Sequence, residues 1–91
     1  MSIHMFIDDD EGYIDWVKEN PKGYVINCYR TPTASYLILH LGNCPFIASD
    51  EPNNWTTETY IKVCSDNYVH LQDWVMKSMG GELSTLCQCM N

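Results

Sequence analysis

Hydrophobic and polar positions recur with two different periods along the chain. Apolar residues return at helical spacing in residues 13–17 and again in residues 68–79. Four acidic residues at positions 8–11 precede the first stretch, where carboxylates cap free amide groups and complement the helix dipole. An Asn-Pro-Lys-Gly segment ends the first stretch and Gly80 ends the second. The pattern predicts two helices, the first about ten residues long.

Three further stretches have the composition of strands. Residues 23–30 and 36–41 are rich in aromatic and β-branched side chains, and the short polar segment between them predicts an antiparallel hairpin. Residues 57–64 predict a third strand. In the second strand the leucines at 37, 39 and 41 share one face, so His40 points to the other. We expect Tyr24, Ile26 and Cys28 on the side of His40 if the register permits.

The order of elements is α-β-β-loop-β-α-tail. It predicts a single α+β domain over residues 1–91, with a small three- to four-stranded, mostly antiparallel sheet and two helices over one face. The tail has room for a short strand before Cys87. Residues 42–57 predict a long loop, and a loop of this length usually needs an anchor or a function. Trp55 lies in this loop, and an exposed tryptophan there is the candidate anchor for a partner.

The length and the net charge of the chain limit which kinds of partner and which cellular location are expected. A chain of 91 residues has a marginal core, so extra fastening of the fold is expected. No run approaches the roughly 18 apolar residues that cross a bilayer, and the first residues do not have the pattern of a signal peptide. We therefore expect a cytoplasmic protein without a membrane partner. The net charge of −7 disfavours direct nucleic-acid binding and suits a basic protein partner.

Cysteine and histidine positions carry the candidate chemistry. The chain has five cysteines, an odd number, and in a cytosolic protein such residues are more often metal ligands or buried thiols than disulfides. His40-x₃-Cys44 ends a strand and can form half of a structural zinc site, which needs four thiolate or imidazole ligands. The candidate ligands are His40, Cys44, Cys64, Cys87 and Cys89. Cys64 precedes a helix, which would favour its thiolate. Buried inert thiols are the alternative, and the one expected for Cys28.

The chain resembles a small, uncharacterised bacterial domain from about residue 8 to residue 89. The matching segments are Gly12-Tyr13-Ile14-x-Trp16-Val17, Asn20-Pro21-x-Gly23-Tyr24-Val25-Ile26-Asn27, Leu39-His40-x₃-Cys44-x₂-Ile47, Trp55-Thr56, Tyr60-Ile61-Lys62-Val63-Cys64, Leu71-x₂-Trp74 and Cys87-x-Cys89. The His-x₃-Cys with a C-terminal cysteine pair is also similar to zinc-binding modules of the Ada DNA-repair type. Those modules end in Cys-x₂-Cys, whereas this chain ends in Cys-x-Cys. The resemblance implies a metal site and brings no established activity.

The sequence leaves several classes of function open. The sequence has no recognisable catalytic pattern, which favours a small, acidic, zinc-stabilised, non-enzymatic module that binds a protein partner. A second hypothesis is an acidic mimic of nucleic acid that inhibits a DNA- or RNA-handling enzyme. A third is a metal-dependent or thiol enzyme, in which one cysteine is reactive or one metal position is open. The similarity to repair-type modules adds nucleic-acid association, against which the net charge argues.

Overall fold

The computed structural model of the chain describes residues 3–33, 36–47, 49, 54–81, 83 and 85–87. In chain order the elements are β1 (His4–Phe6), α1 (Asp10–Glu19), β2 (Tyr24–Tyr29), β3 (Leu37–Leu41), β4 (Tyr60–Ser65), α2 (Tyr68–Met79) and β5 (Thr85–Leu86). The predicted α+β class with two helices is confirmed, and α1 has the expected ten residues. Short strands at the two ends complete the sheet.

The strands form one sheet in the order β1-β4-β2-β3-β5. The first four strands of that order are antiparallel to their neighbours, whereas β5 joins β3 in parallel at the edge. Central strand β2 pairs Val25 with His40 of β3 on one side and with Cys64 of β4 on the other. The sheet therefore agrees with the predicted mostly antiparallel arrangement, with β5 added along the outer edge of β3.

The two helices cover opposite faces of this sheet. The α2 face is buried against α2 through a cluster of Ile26, Cys28, Leu37, Leu39, Ile61, Val63, Leu71, Val75 and Leu83. The α1 face is buried against α1 through Tyr13, Val17, Val25, Cys44, Ile47 and Cys64. The expectation that both helices lie over one face is wrong. Because neighbouring residues such as Val63 and Cys64 are both buried, each face needs its own cover.

The register of the hairpin decides what lies beside His40. Ile26 pairs with Leu39 and Cys28 with Leu37, so both belong to the α2 face with the leucines. The expectation that Tyr24, Ile26 and Cys28 share the side of His40 is therefore wrong. His40 instead lies beside Val25 on the α1 face. A shift of the pairing between β2 and β3 by one residue would turn every side chain of one strand to the other face. The residues that join the two strands did not predict which register forms.

Both ends of α1 and the C-terminal end of α2 follow the chemistry that the sequence indicated. Asp9 caps α1, and its side chain accepts a hydrogen bond from the Gly12 N–H at 2.9 Å. Asn67 caps α2 in the same way by accepting from the Val69 N–H at 2.9 Å. Gly80 ends α2 with a positive φ of 67°, a left-handed conformation that glycine adopts without steric cost. Within the described ranges, neither helix has the length and apolar character needed to cross a bilayer.

The long segment between β3 and β4 is fastened to α1 by polar contacts. The Thr56 hydroxyl donates to Asp10 Oδ1 at 2.8 Å and accepts from the Asp9 N–H at 2.8 Å, while the Thr56 N–H also donates to Asp10 Oδ1 at 2.6 Å. Nearer β3, the buried Tyr13 hydroxyl donates to the Ile47 carbonyl at 2.6 Å. These contacts hold both ends of the loop against α1. Cys44 lies three residues before Ile47, at the end of the loop that the Tyr13 hydroxyl holds.

Candidate metal site

A tight turn at the end of β3 brings Cys44 back to His40. The Cys44 N–H donates to the Leu41 carbonyl at 3.0 Å, which closes the turn. Gly42 donates to the Gly23 carbonyl at 2.8 Å, and a Cβ at this position would come 2.5 Å from the Asn20 carbonyl oxygen. Glycine is therefore required for the close approach to the chain after α1. The outcome is a distance of 3.5 Å between Cys44 Sγ and His40 Nδ1.

The parallel strand β5 supplies the third residue. Its last pair joins Leu86 to Leu39, and the next N–H, that of Cys87, donates to the Leu39 carbonyl at 2.8 Å. Cys87 follows Leu86 as His40 follows Leu39, so both stand one step further along neighbouring strands. Cys87 Sγ lies 3.8 Å from Cys44 Sγ. The fold thus joins the turn after β3 to a segment 43 residues later in the sequence.

These three side chains form a group that could hold a metal ion. One ligand atom from each of His40, Cys44 and Cys87 lies within 4.8 Å of the others. Tetrahedral zinc, with bonds of about 2.3 Å to sulfur and about 2.0 Å to nitrogen, separates two sulfurs by about 3.8 Å and a sulfur from a nitrogen by about 3.5 Å. The observed distances of 3.8 Å and 3.5 Å match both edges of such a tetrahedron.

The protonation state of His40 suits metal binding. Burial lowers the pKa of His40 to about 4, and the positive charge of Lys62 contributes to that lowering, so the imidazole is neutral near pH 7. Neutral imidazole is the form that ligates metals. Nε2 is buried and finds no hydrogen-bond partner within the described part of the chain. Nδ1 lies 3.5 Å from Cys44 Sγ and is the nitrogen placed to share an ion with that thiol.

The other candidate thiols lie elsewhere or outside the described residues. Cys64 is separated from His40 by Val25 across two strand spacings, or about 10 Å, and does not join the group. Burial raises the pKa of Cys64 well above its usual range. The expectation that a nearby helix end favours its thiolate is wrong, because desolvation dominates. Cys28 lies in the α2 cluster, as expected for a buried thiol. Cys89 lies outside the described residues.

Trp55, the candidate partner anchor, is half-buried. It packs on the α1 cluster, and its ring centroid lies 6.5 Å from that of Tyr13. Less of the indole is free for a partner than an exposed anchor requires. The described residue that is most exposed among large apolar side chains is Phe46, at 70%, two positions after Cys44. The hydrophobic pattern did not single it out, although Asn43 and Pro45 just before it already indicated a turn at the surface.

Lys62 is a second residue that the sequence pattern did not single out. It is only 3% exposed, and its Nζ donates to the Trp55 carbonyl at 2.6 Å and lies 5.8 Å from the centroid of the Tyr13 ring. Burial lowers the pKa of Lys62 to about 8, an effect that neighbouring Cys28, Cys64 and Asp10 oppose. Its position between Ile61 and Val63 was the available signal, since alternation placed it with Cys64 on one face.

Comparisons of the chain with protein-family models, with curated proteins and with solved structures find no match. The class of the protein is therefore given by its own fold and by the geometry of its candidate site. It is a small α+β protein with two helices on opposite faces of a sheet. It carries a histidine–cysteine group able to hold a metal where β3 and β5 end.

Proposed function

We propose that this protein is a small, acidic, zinc-stabilised module of the cytoplasm that acts by binding a protein partner. The observation that carries the proposal is the convergence of His40, Cys44 and Cys87 to within 4.8 Å. Their spacing fits the edges of a tetrahedron around one ion. The partner-binding half of the proposal is supported by the net charge of −7 and by the exposed Phe46, two residues after Cys44.

The donor set favours zinc over other common ions. Thiolate and imidazole are soft or borderline ligands that suit zinc, whereas magnesium and calcium require oxygen donors. Cys44 and His40 are buried, which protects bound thiolate from solvent. Cys89, which follows Cys87 by two positions in the sequence, is the candidate for the fourth ligand. A structural ion closed by four protein ligands leaves no open position for catalysis.

The proposed ion has a mechanical role. It would tie the turn after β3 to the segment after β5, and β5 itself has only two residues. Metal binding to preassembled ligands contributes folding free energy, which a domain of this size needs. The fastened turn would hold Phe46 in one place at the surface. A fixed apolar side chain loses little entropy when a partner covers it.

Binding is favoured over thiol catalysis by the state of the remaining cysteines. Burial raises the pKa of Cys28 to about 11 and that of Cys64 further still. Both thiols stay protonated near neutral pH, and a protonated, buried thiol is a poor nucleophile. Cys44 and Cys87 are committed to the proposed metal. Cys28 and Cys64 therefore provide neither a reactive thiol nor an accessible one.

The metal content of purified protein tests the proposal. Native mass spectrometry and elemental analysis should find one zinc per chain, and a strong chelator should lower the thermal midpoint. Cys44→Ser and Cys87→Ser should lose the metal. Cys28→Ala is the matched control, since it removes a buried thiol outside the group and should keep one equivalent. Less than a tenth of an equivalent of metal, with a thermal midpoint indifferent to chelator, would contradict the zinc-stabilised module.

A further inference from the structure

The rings of three tyrosines from neighbouring parts of the sheet meet in a triangle on the α1 face, away from the histidine–cysteine group. Tyr29 of β2 pairs directly with Tyr60 of β4, and Tyr36 stands one step beyond the last pair of β2 with β3. The ring centroids of Tyr29 and Tyr36 are 4.8 Å apart, and each lies 5.5 Å from that of Tyr60. We name Tyr29, Tyr36 and Tyr60 the tyrosine row.

Two of the three ring pairs in the tyrosine row are stacked. The planes of Tyr29 and Tyr60 differ by 17° and those of Tyr36 and Tyr60 by 23°, whereas those of Tyr29 and Tyr36 are tilted by 35°. Tyr29 is 39% exposed, and the other two are half-buried. The row is thus an ordered aromatic surface open to solvent, so a ligand would not have to order it.

The charges around the row are suited to a cation. Arg30, which follows Tyr29, is held by the chain itself: it donates to Asp8 Oδ2 at 2.6 Å and to the Thr56 carbonyl at 3.1 Å. Its charge is therefore balanced by Asp8. Exposed Glu58 stands two residues before Tyr60, and the whole chain carries a charge of −7. A basic ligand would approach an attractive field and meet π-faces at the surface.

We propose that the tyrosine row is the docking surface for a basic protein segment, whose arginine guanidinium stacks on these rings. Arginine fits better than lysine because its guanidinium is planar, weakly hydrated and stacks on aromatic faces. Stacked rings could also accept unpaired bases, but such platforms work inside cationic grooves, and this chain is acidic. The inference deepens the partner-binding half of the proposed function and does not depend on the ion.

Fluorescence anisotropy with short labelled peptides tests this surface. The probes are a peptide in which arginine alternates with glycine and serine, the same peptide with lysine, and a single-stranded RNA oligomer. The arginine peptide should bind more tightly than the lysine peptide, and the RNA should bind least. Tyr29→Leu should weaken binding of the arginine peptide by about twofold to fivefold, the contribution of one exposed cation–π contact. Tyr29→Phe keeps a π-face and should keep the affinity.

Tyr68→Leu is the matched control, because Tyr68 is 37% exposed on α2 and lies outside the row. It should leave the affinity unchanged. Equal binding of the arginine and lysine peptides, equal binding by wild type and Tyr29→Leu, or preferred binding of RNA would each overturn the inference. Zinc content is measured on the same samples. Absence of peptide binding with one zinc per chain rejects only the docking surface, whereas peptide binding without zinc rejects only the metal.

Discussion

At the scale of single residues, Lys62 is the group whose burial is least expected of its type. It is a charged amine under the α1 layer with one carbonyl acceptor at hydrogen-bond distance. The titratable groups that its charge reaches are Asp10 and Tyr13 of α1, Cys28 of β2, His40 of β3 and Cys64 of β4. Burying an ammonium costs free energy that one hydrogen bond and one aromatic face only partly offset.

Lys62 should therefore make stability depend on pH. Its pKa is about 8 in the folded chain, against 10.5 for a lysine in water, so between these values the unfolded chain binds more protons. The cost of burying the charge is complete below pH 8 and is relieved as the pH rises towards 10.5. We expect the stability advantage of Lys62→Met over wild type to shrink by about 1–3 kcal/mol between neutral pH and pH ~10. Urea unfolding at several pH values measures it.

The control for this experiment is Lys77→Met. Lys77 is exposed and pairs with Asp73 at 2.9 Å one helical turn away, so its charge carries no burial cost. Thiols and tyrosines beyond the reach of Lys62 titrate alike in all three proteins and cancel in the comparison. A difference between Lys62→Met and wild type that stays constant with pH would show that the lysine is not desolvated.

At the scale of elements, Thr56 holds the long loop to the start of α1. It is fully buried, and its hydroxyl bridges the Asp9 N–H and the Asp10 carboxylate. Thr56→Val preserves the shape of the side chain, but the Asp9 N–H loses its acceptor and the Asp10 carboxylate loses one donor. We expect it to lower the free energy of unfolding by about 1–3 kcal/mol, the usual cost of an unsatisfied buried polar group. Chemical denaturation in the presence of a strong chelator, which removes bound metal, measures the change without a contribution from metal.

Thr57→Val provides the matched comparison for Thr56. The Thr57 hydroxyl also reaches Asp10, at 3.2 Å, but the residue is exposed and water can replace the contact. Its substitution should change the free energy of unfolding by less than about 0.5 kcal/mol. Equal effects of the two substitutions would mean that the loop is not fastened at Thr56.

Elements could be predicted from the sequence where the signal was local. The helices, the hairpin and the turn between His40 and Cys44 follow from periodicity, caps and spacing within a few residues. The opposite placement of the helices could not be predicted, because it depends on which face of each strand is buried and hence on register. The same holds for the tyrosine row, whose members come from three neighbouring parts of the sheet and meet only through that register.

At the scale of the whole molecule, the candidate site joins parts of the chain that are distant in sequence. The His40–Cys44 half could be predicted because both residues belong to one turn. Cys87 was a candidate by type alone, and its place beside His40 depends on the parallel pairing of β5 with β3, which no local pattern indicates. Cys64 was an equally good candidate in sequence, yet Val25 stands between it and His40.

The measurement that tests the metal site most directly is zinc K-edge X-ray absorption of the purified protein. It reports the identity and distance of the atoms bound to the ion. We predict sulfur ligands at about 2.3 Å together with one imidazole nitrogen at about 2.0 Å, and loss of the zinc signal itself in Cys44→Ser. A spectrum of nitrogen and oxygen ligands alone, unchanged by Cys44→Ser, would contradict the proposal that zinc joins the β3 turn to Cys87.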